Sequence, residues 1–144
     1  MKAVLDTSVL VAEQLSHPGY DVAVASLSWA ELGYGVRKAV DPVERARREA
    51  RVSRLRAALG AGLPFDDAVA DAYQTVCGLV LANGRDVRGR AIDLMIAATA
   101  SVHGAAVITH NPADFAGLDG LVPIIPALGS QHPPTASERS GSRA

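Results

Sequence analysis

Residues 4–10 read Val4-Leu5-Asp6-Thr7-Ser8-Val9-Leu10: apolar side chains on both sides of a single carboxylate and two hydroxyls. A short apolar run opening on a polar turn reads as a buried strand. Thr7 or Ser8 then stands where an N-cap starts the following helix. The stretch is therefore a strand-to-helix turn with an acid at its mouth. The alternation repeats along the chain. Strands are expected at residues 3–5, 22–25, 105–108 and 122–125, with a brief extended piece at 63–65. Helices are expected at 9–15, 29–40, 43–59, 66–82 and 91–102. Ser26 or Ser28 would cap the second, Pro42 suits the first position of the third, and Asp66 would cap the fourth. Gly60 and Gly62, Asn83-Gly84 and Gly104 punctuate the ends. Short strands alternating with helices predict an α/β fold whose parallel sheet is covered on both faces.

The totals permit one domain. The chain has 144 residues, is 49% hydrophobic and only 4% aromatic, so its core is built mainly from Ala, Val, Leu and Ile. We expect a folded domain over residues 1–125. The Ser- and Pro-rich stretch 126–144 has little to bury and is expected to be a flexible tail. Cys77 is the one cysteine, so no intrachain disulfide is expected, and its apolar setting predicts a small buried helix residue. Asp6 and Glu13 interrupt the N-terminal apolar stretch, which argues against a secretory leader, and no window suits a membrane span. A cytoplasmic location is the expectation.

Net charge is −1, but it is distributed unevenly. Residues 37–56 hold eight bases against Asp41, Glu44 and Glu49, a local excess of 8 − 3 = +5. Either a solvated helix face laced with ion pairs or an RNA-binding patch would look like this. On the predicted helix 43–59 the inward candidates are Val43, Ala46, Ala50, Val52, Leu55, Ala58 and Leu59.

Four acids stand in unusual company. Asp6 follows the first strand. Glu31 lies in an uncharged stretch followed by Gly33 and Gly35, whose low helix propensity suggests close packing. Asp93 is the single charge of a long apolar run, and Asp114 follows the strand at 105–108. Each has a plain reading: a turn acid for Asp6 or Asp114, a helix-dipole partner for Asp93, an ion pair with Arg37 or Lys38 for Glu31. Together they mean more, because ligands of parallel sheets gather outside the carboxyl ends of the strands. Clustered carboxylates repel, and a hard divalent cation, Mg²⁺ or Mn²⁺, relieves that repulsion. His17, His103, His110 and His132 are scattered and Cys77 is alone, which argues against zinc. Carboxylate-bound cations cleave phosphodiesters without a Ser or Cys nucleophile. No G-x-x-x-x-G-K-[ST] loop is present for nucleoside triphosphates.

Four blocks in order, VLDTSVLVA (4–12), SWAELGYGV (28–36), IDLMIAATA (92–100) and VITHNPADF (107–115), resemble the PIN-domain ribonucleases, and most closely the VapC-type toxins of type II toxin–antitoxin modules. The resemblance covers roughly residues 1–125. It implies a three-layer α/β/α domain with a four- to five-stranded parallel sheet, and Mg²⁺- or Mn²⁺-dependent endonucleolytic cleavage of RNA. By position, Asp6 and Asp93 would be the main metal ligands, Glu31 would ligate or orient water, and Asp114 would complete the acidic site. Thr7, Ser8, Thr109 and Asn111 would hydrogen-bond the carboxylates or the scissile phosphate. Arg85, Arg88 and Arg90 precede Asp93 and are candidates for substrate phosphate. The resemblance further implies a homodimer and a cognate antitoxin, with DNA engaged only through that antitoxin. Two other readings compete: a non-catalytic RNA- or protein-binding domain, and phosphoryl transfer through an aspartyl-phosphate at Asp6. The latter needs a second Asp two residues on, where this chain has Ser8.

Overall fold

The computed structural model describes residues 1–129. Its sheet has four parallel strands: β1 (Lys2–Leu5), β2 (Asp21–Ala23), β3 (Ala106–Thr109) and β4 (Ile124–Pro126), in the order β2-β1-β3-β4. The helices are α1 (Thr7–Val11), α2 (Ser26–Lys38), α3 (Pro42–Leu59), α4 (Asp67–Ala82) and α5 (Ala91–Val102). A 3-10 helix, Pro112–Phe115, follows β3. The three-layer α/β/α architecture expected from the sequence is the one found.

The layers follow from side-chain alternation on the two central strands. Val4 and Val107 face one side, where they pack with Val69, Val76 and Val80 of α4 and with Leu94, Ile96 and Ala97 of α5. Ala3, Leu5, Ala106 and Ile108 face the other, against Val9 and Leu10 of α1, Trp29 and Leu32 of α2, and Leu55 of α3. Both faces of β1 and β3 are therefore dry, which is why these strands carry no alternating polar residue. The chain leaves β1 toward β2 and returns on the other side as β3. The sheet order thus reverses between β1 and β3, and a crevice opens above their carboxyl ends.

Several local expectations shift. α1 starts at Thr7 and stops at Val11, well short of residue 15. It ends in a Schellman turn: Glu13 N–H donates to Leu10 O, Gln14 N–H donates to Val9 O, and Glu13 takes φ 54° where Gly is usual. Neither Thr7 nor Ser8 caps it, because Asp6 occupies the N-cap position. α2 begins at Ser26, three residues earlier than expected, with Ala25 at the N-cap and no side-chain cap from Ser26 or Ser28. Residues 63–65 form no strand; Leu63 makes a single parallel bridge with Ala25. That bridge passes so near α2 that a Cβ at Gly62 would lie 2.6 Å from the Ser26 nitrogen. The caps by Asp41 and Asp66 are present, accepting from Val43 N–H and Val69 N–H.

The inner face of α3 differs most. Val43 is 67% exposed, Ala46, Ala50 and Ala58 are exposed, and Leu55 alone is fully buried, with Val52 and Leu59 packed at its margin. Alanines carry no periodicity signal of their own, while Arg48 and Arg51 lie half-buried. At Gly35 the expected close approach is real: Arg48 Nη1 donates to the Gly35 carbonyl at 2.7 Å. At Gly33 it is not, since a Cβ there would meet open space. Cys77 is half-buried beside Tyr73 rather than fully enclosed. Of the expected tail, Pro126 belongs to β4 and Ala127 is buried, while residues 130–144 lie outside the described residues. Among the described residues no helix is long and apolar enough to cross a membrane.

Candidate active site

Asp6 is the first residue beyond β1. Its N–H still pairs with the Ile108 carbonyl, and its own carbonyl accepts from Val9 and Leu10 as α1 begins. The carboxylate is left out of the capping and is only 4% exposed. Two hydroxyls converge on one of its oxygens: Ser8 Oγ and Thr109 Oγ1 each donate to Oδ2 at 2.8 Å. Each hydroxyl is itself aimed by a backbone N–H of the loop after β3. His110 N–H donates to Ser8 Oγ at 3.2 Å, and Asn111 N–H donates to Thr109 Oγ1 at 2.9 Å. The other oxygen, Oδ1, is buried and has no partner among the described residues. A buried, unpartnered carboxylate oxygen is expensive to maintain.

Glu31 sits in the second turn of α2, whose start is fixed by the Leu63 bridge. Thr7 Oγ1 lies 2.6 Å from Glu31 Oε1 and 3.1 Å from the buried Ser28 Oγ, and because the carboxylate can only accept, Thr7 donates its hydrogen bond to Glu31. Glu31 thus faces α1 rather than pairing with Arg37 or Lys38. Asp93 lies in the first turn of α5, and Asp114 in the 3-10 helix, half-buried. Gly89, Ala91, Ile92, Asp93 and Glu31 line a cleft of about 300 Å³.

The four acids share one electrostatic field. Asp93 is pushed up from 3.8 to about 6, first by burial, then by the charges of Asp6, Asp114 and Glu31, with Arg90 acting in the opposite direction. The helix dipole would favour a charged Asp93 by about 0.3–1 kcal/mol. Burial and three like charges outweigh it. Among the described residues no three Asp, Glu, His or Cys side chains close into a metal-ligand cluster. A Mg²⁺-like ion, which keeps most of its waters, needs only one or two carboxylates. The all-oxygen donors and the orphaned Asp6 Oδ1 suit such a hard cation.

This arrangement has known counterparts. Residues 3–121 match the PIN domain family. The chain belongs to the PIN-domain family. Over 122 residues it is 38% identical to Ribonuclease VapC51 of Mycobacterium tuberculosis, spanning 80% of this chain and 83% of that relative. It resembles the crystal structure of a member of the VapBC family of toxin-antitoxin systems, VapBC-5, from Mycobacterium tuberculosis, with a TM-score of 0.71 and 37% identity over 87% of this chain and 96% of that one. It also resembles FitAcB from Neisseria gonorrhoeae, with a TM-score of 0.67 and 25% identity over 85% and 96% of the two chains. Within the PIN-domain family the chain is of the VapC type.

The remaining candidates divide. Ser8, Thr109 and Thr7 contact acids directly, and Asn111 acts through its backbone. Arg90 stands at the N-cap position of α5 and biases Asp93. Arg85 donates to the Ala113 carbonyl and so braces the 3-10 helix. Arg88 is exposed, its backbone N–H held by Asp86. Ser28 and Gln14 are two residues of this PIN site region that sequence reading missed. Their partners lie 21 and 96 residues away along the chain, and no local pattern marks them.

Proposed function

We propose that this PIN domain is a metal-dependent endoribonuclease and the toxin of a toxin–antitoxin pair. The observation that carries the reading is the Asp6 carboxylate, one oxygen saturated by two hydroxyls and the other buried with no partner among the described residues, inside a field of three further acids. The ribonuclease reading gains support from a relative at 38% identity that is named a ribonuclease. The partner reading gains support from similarity to VapBC-5, a member of a toxin–antitoxin family.

Asp6 and Asp93 would hold the ion, Mg²⁺ or Mn²⁺, with Glu31 and Asp114 close enough to ligate it or to orient water. Such an ion, when bound, neutralises charge developing on a phosphoryl group and makes water acidic enough to attack near neutral pH. The chain's own groups do the rest. Ser8 and Thr109 fix the direction of Asp6 Oδ1. Thr7 holds Glu31 toward α1 and so sets its distance from Asp93. Arg90 limits the build-up of negative charge at the start of α5. Arg88, exposed at the rim, is free to meet a substrate phosphate, a role Arg85 is less suited to because it is committed to Ala113. A cytosolic antitoxin covering the acidic crevice, and assembly as a homodimer, complete the reading.

The test is cleavage of RNA by the purified chain with Mg²⁺ or Mn²⁺ and with EDTA. We expect cleavage with either metal, none with EDTA, and relief of toxicity by Asp6→Asn or by co-expression of the antitoxin. Equal cleavage in EDTA would overturn the metal-dependent reading. Undiminished toxicity of Asp6→Asn would overturn the assignment of the site.

A further inference from the structure

The Schellman turn at Glu13 sends Gln14 back across the end of the sheet, where its amide makes two contacts. Nε2 donates to the Leu128 carbonyl at 3.1 Å, and Oε1 lies 2.5 Å from His110 Nε2. The Leu128 carbonyl only accepts, so the amide nitrogen must face it. Oε1 must then face His110, and His110 Nε2 must carry a proton. Gln14 thereby helps hold the side chain of the residue whose backbone N–H donates to Ser8 Oγ. Ser8 in turn donates to Asp6 Oδ2. An unbroken series runs from the segment after β4, through Gln14, His110 and Ser8, to the carboxylate. Its links join residues 114, 96, 102 and 2 positions apart, so no single element holds this geometry by itself.

We propose that Gln14 is a positioning residue of the acidic site: by joining His110 to the turn after α1 and to the chain after β4, it helps hold Ser8 against Asp6 Oδ2 and keeps Oδ1 directed at the cation. The inference rests on the metal-dependent reading above. Without the clamp, the His110 side chain loses its tie to the turn after α1, and the loop after β3 is held less firmly against the Ser8 hydroxyl. Asp6 Oδ2 then keeps only Thr109, and the carboxylate can turn. Outer hydrogen bonds of this kind contribute on the order of 10- to 100-fold in metal affinity.

The experiment measures Mn²⁺ binding to the full chain by calorimetry, without RNA, alongside thermal stability in EDTA. The variants are Gln14→Leu, which removes both contacts at similar volume, and Gln14→Met as a milder form should the first not fold. Val76→Ala, on the buried face of α4, is the control for lost stability. We expect Gln14→Leu and Gln14→Met to weaken Mn²⁺ binding about tenfold, and Val76→Ala to lower the melting temperature with Mn²⁺ affinity unchanged. A folded Gln14 variant that binds Mn²⁺ as tightly as the unsubstituted chain would overturn the positioning role, and so would Val76→Ala weakening the metal equally. Absence of Mn²⁺ binding by the unsubstituted chain would overturn the metal-dependent reading itself.

Discussion

Helix α3 carries six arginines, and the crevice above β1 and β3 gathers four carboxylates, but the two sets of charge are handled in opposite ways. On α3 most of the arginines have an internal partner. Arg47 and Arg48 pair with Glu44, Arg54 pairs with Glu13, Arg45 donates twice to the Ala39 carbonyl, and the Arg56 guanidinium lies 4.8 Å from the Trp29 ring centroid. In the crevice the acids face one another. The hydrogen bonds to Asp6 and Glu31 come from neutral hydroxyls, and one oxygen of Asp6 has no partner among the described residues. Charge matched within the chain serves structure, whereas like charge left unmatched in a half-dry cleft points to a ligand supplied from outside. The excess of base at residues 37–56 therefore reads as a laced helix surface rather than as the RNA site.

That contrast can be broken in four places. The largest effect should come from Asp6→Asn, which replaces the orphaned charge by an amide. We expect RNA cleavage to fall by about a thousandfold, or about 4 kcal/mol of transition-state stabilisation, read as initial rates on a labelled RNA in Mg²⁺. A loss under tenfold would mean that the acids are no more functional than the arginines. Next is Leu55→Ala. Leu55 is the one fully buried residue of α3, and its loss should destabilise the fold by about 2–5 kcal/mol in chemical denaturation. A smaller effect would mean that the ion pairs, not the core, hold the helix.

Asp93→Asn should be smaller and of opposite sign. A carboxyl raised from 3.8 to about 6 keeps its proton in the folded state over a range where the unfolded chain has released it. Stability then declines as pH rises from about 4 to about 6 and is level above that. The shift alone sets a ceiling of about 3 kcal/mol, and partial exposure to water reduces it to about 1–2 kcal/mol. Metal-free Asp93→Asn should be more stable by that amount at pH 7.5, and equal to the parent at pH 3.5. Saturating Mg²⁺ should reverse the order. Thermal melts at the two pH values, with EDTA and with Mg²⁺, check all three points. The smallest effect belongs to Arg47→Ala. Its exposed pair with Glu44 should contribute no more than about 0.5 kcal/mol, and RNA cleavage should be unchanged. A clear loss of cleavage would return α3 to the substrate site.

Much of this arrangement could be read from the residues. Asp66 at the start of α4, Gly104 after α5 and the apolar runs 3–5 and 105–108 in β1 and β3 each carry a strong local signal, and those elements lie where expected. The acids were visible because a charge inside an apolar run needs a reason. The inner face of α3 was not visible, since Ala46, Ala50 and Ala58 are equally at home on either side and Arg48 is half-buried, reaching the Gly35 carbonyl. The cap positions of α1 and α2 were misread for a related reason. Thr7 and Ser8 are good caps locally, but Glu31 and Asp6 are stronger partners for their hydroxyls. The roles of Ser28 and Gln14 depend wholly on contacts between distant parts of the chain. A single residue type, without its partner in view, says nothing of them.

The pairing of β1 with β3 has a consequence for synthesis. Asp6 leaves the ribosome early, while Thr109, which holds its carboxylate, is 103 residues behind it. Until β3 docks beside β1 there is neither a crevice nor a second hydroxyl on Asp6, and the repulsion among the acids is not yet imposed. Closing a contact this distant is slow compared with forming the local helices. On the ribonuclease reading proposed above, a nascent chain is thus harmless to the RNA that encodes it until nearly the whole domain has emerged. Stalled chains ending at residue 100 should leave RNA intact under conditions where the full chain cuts it.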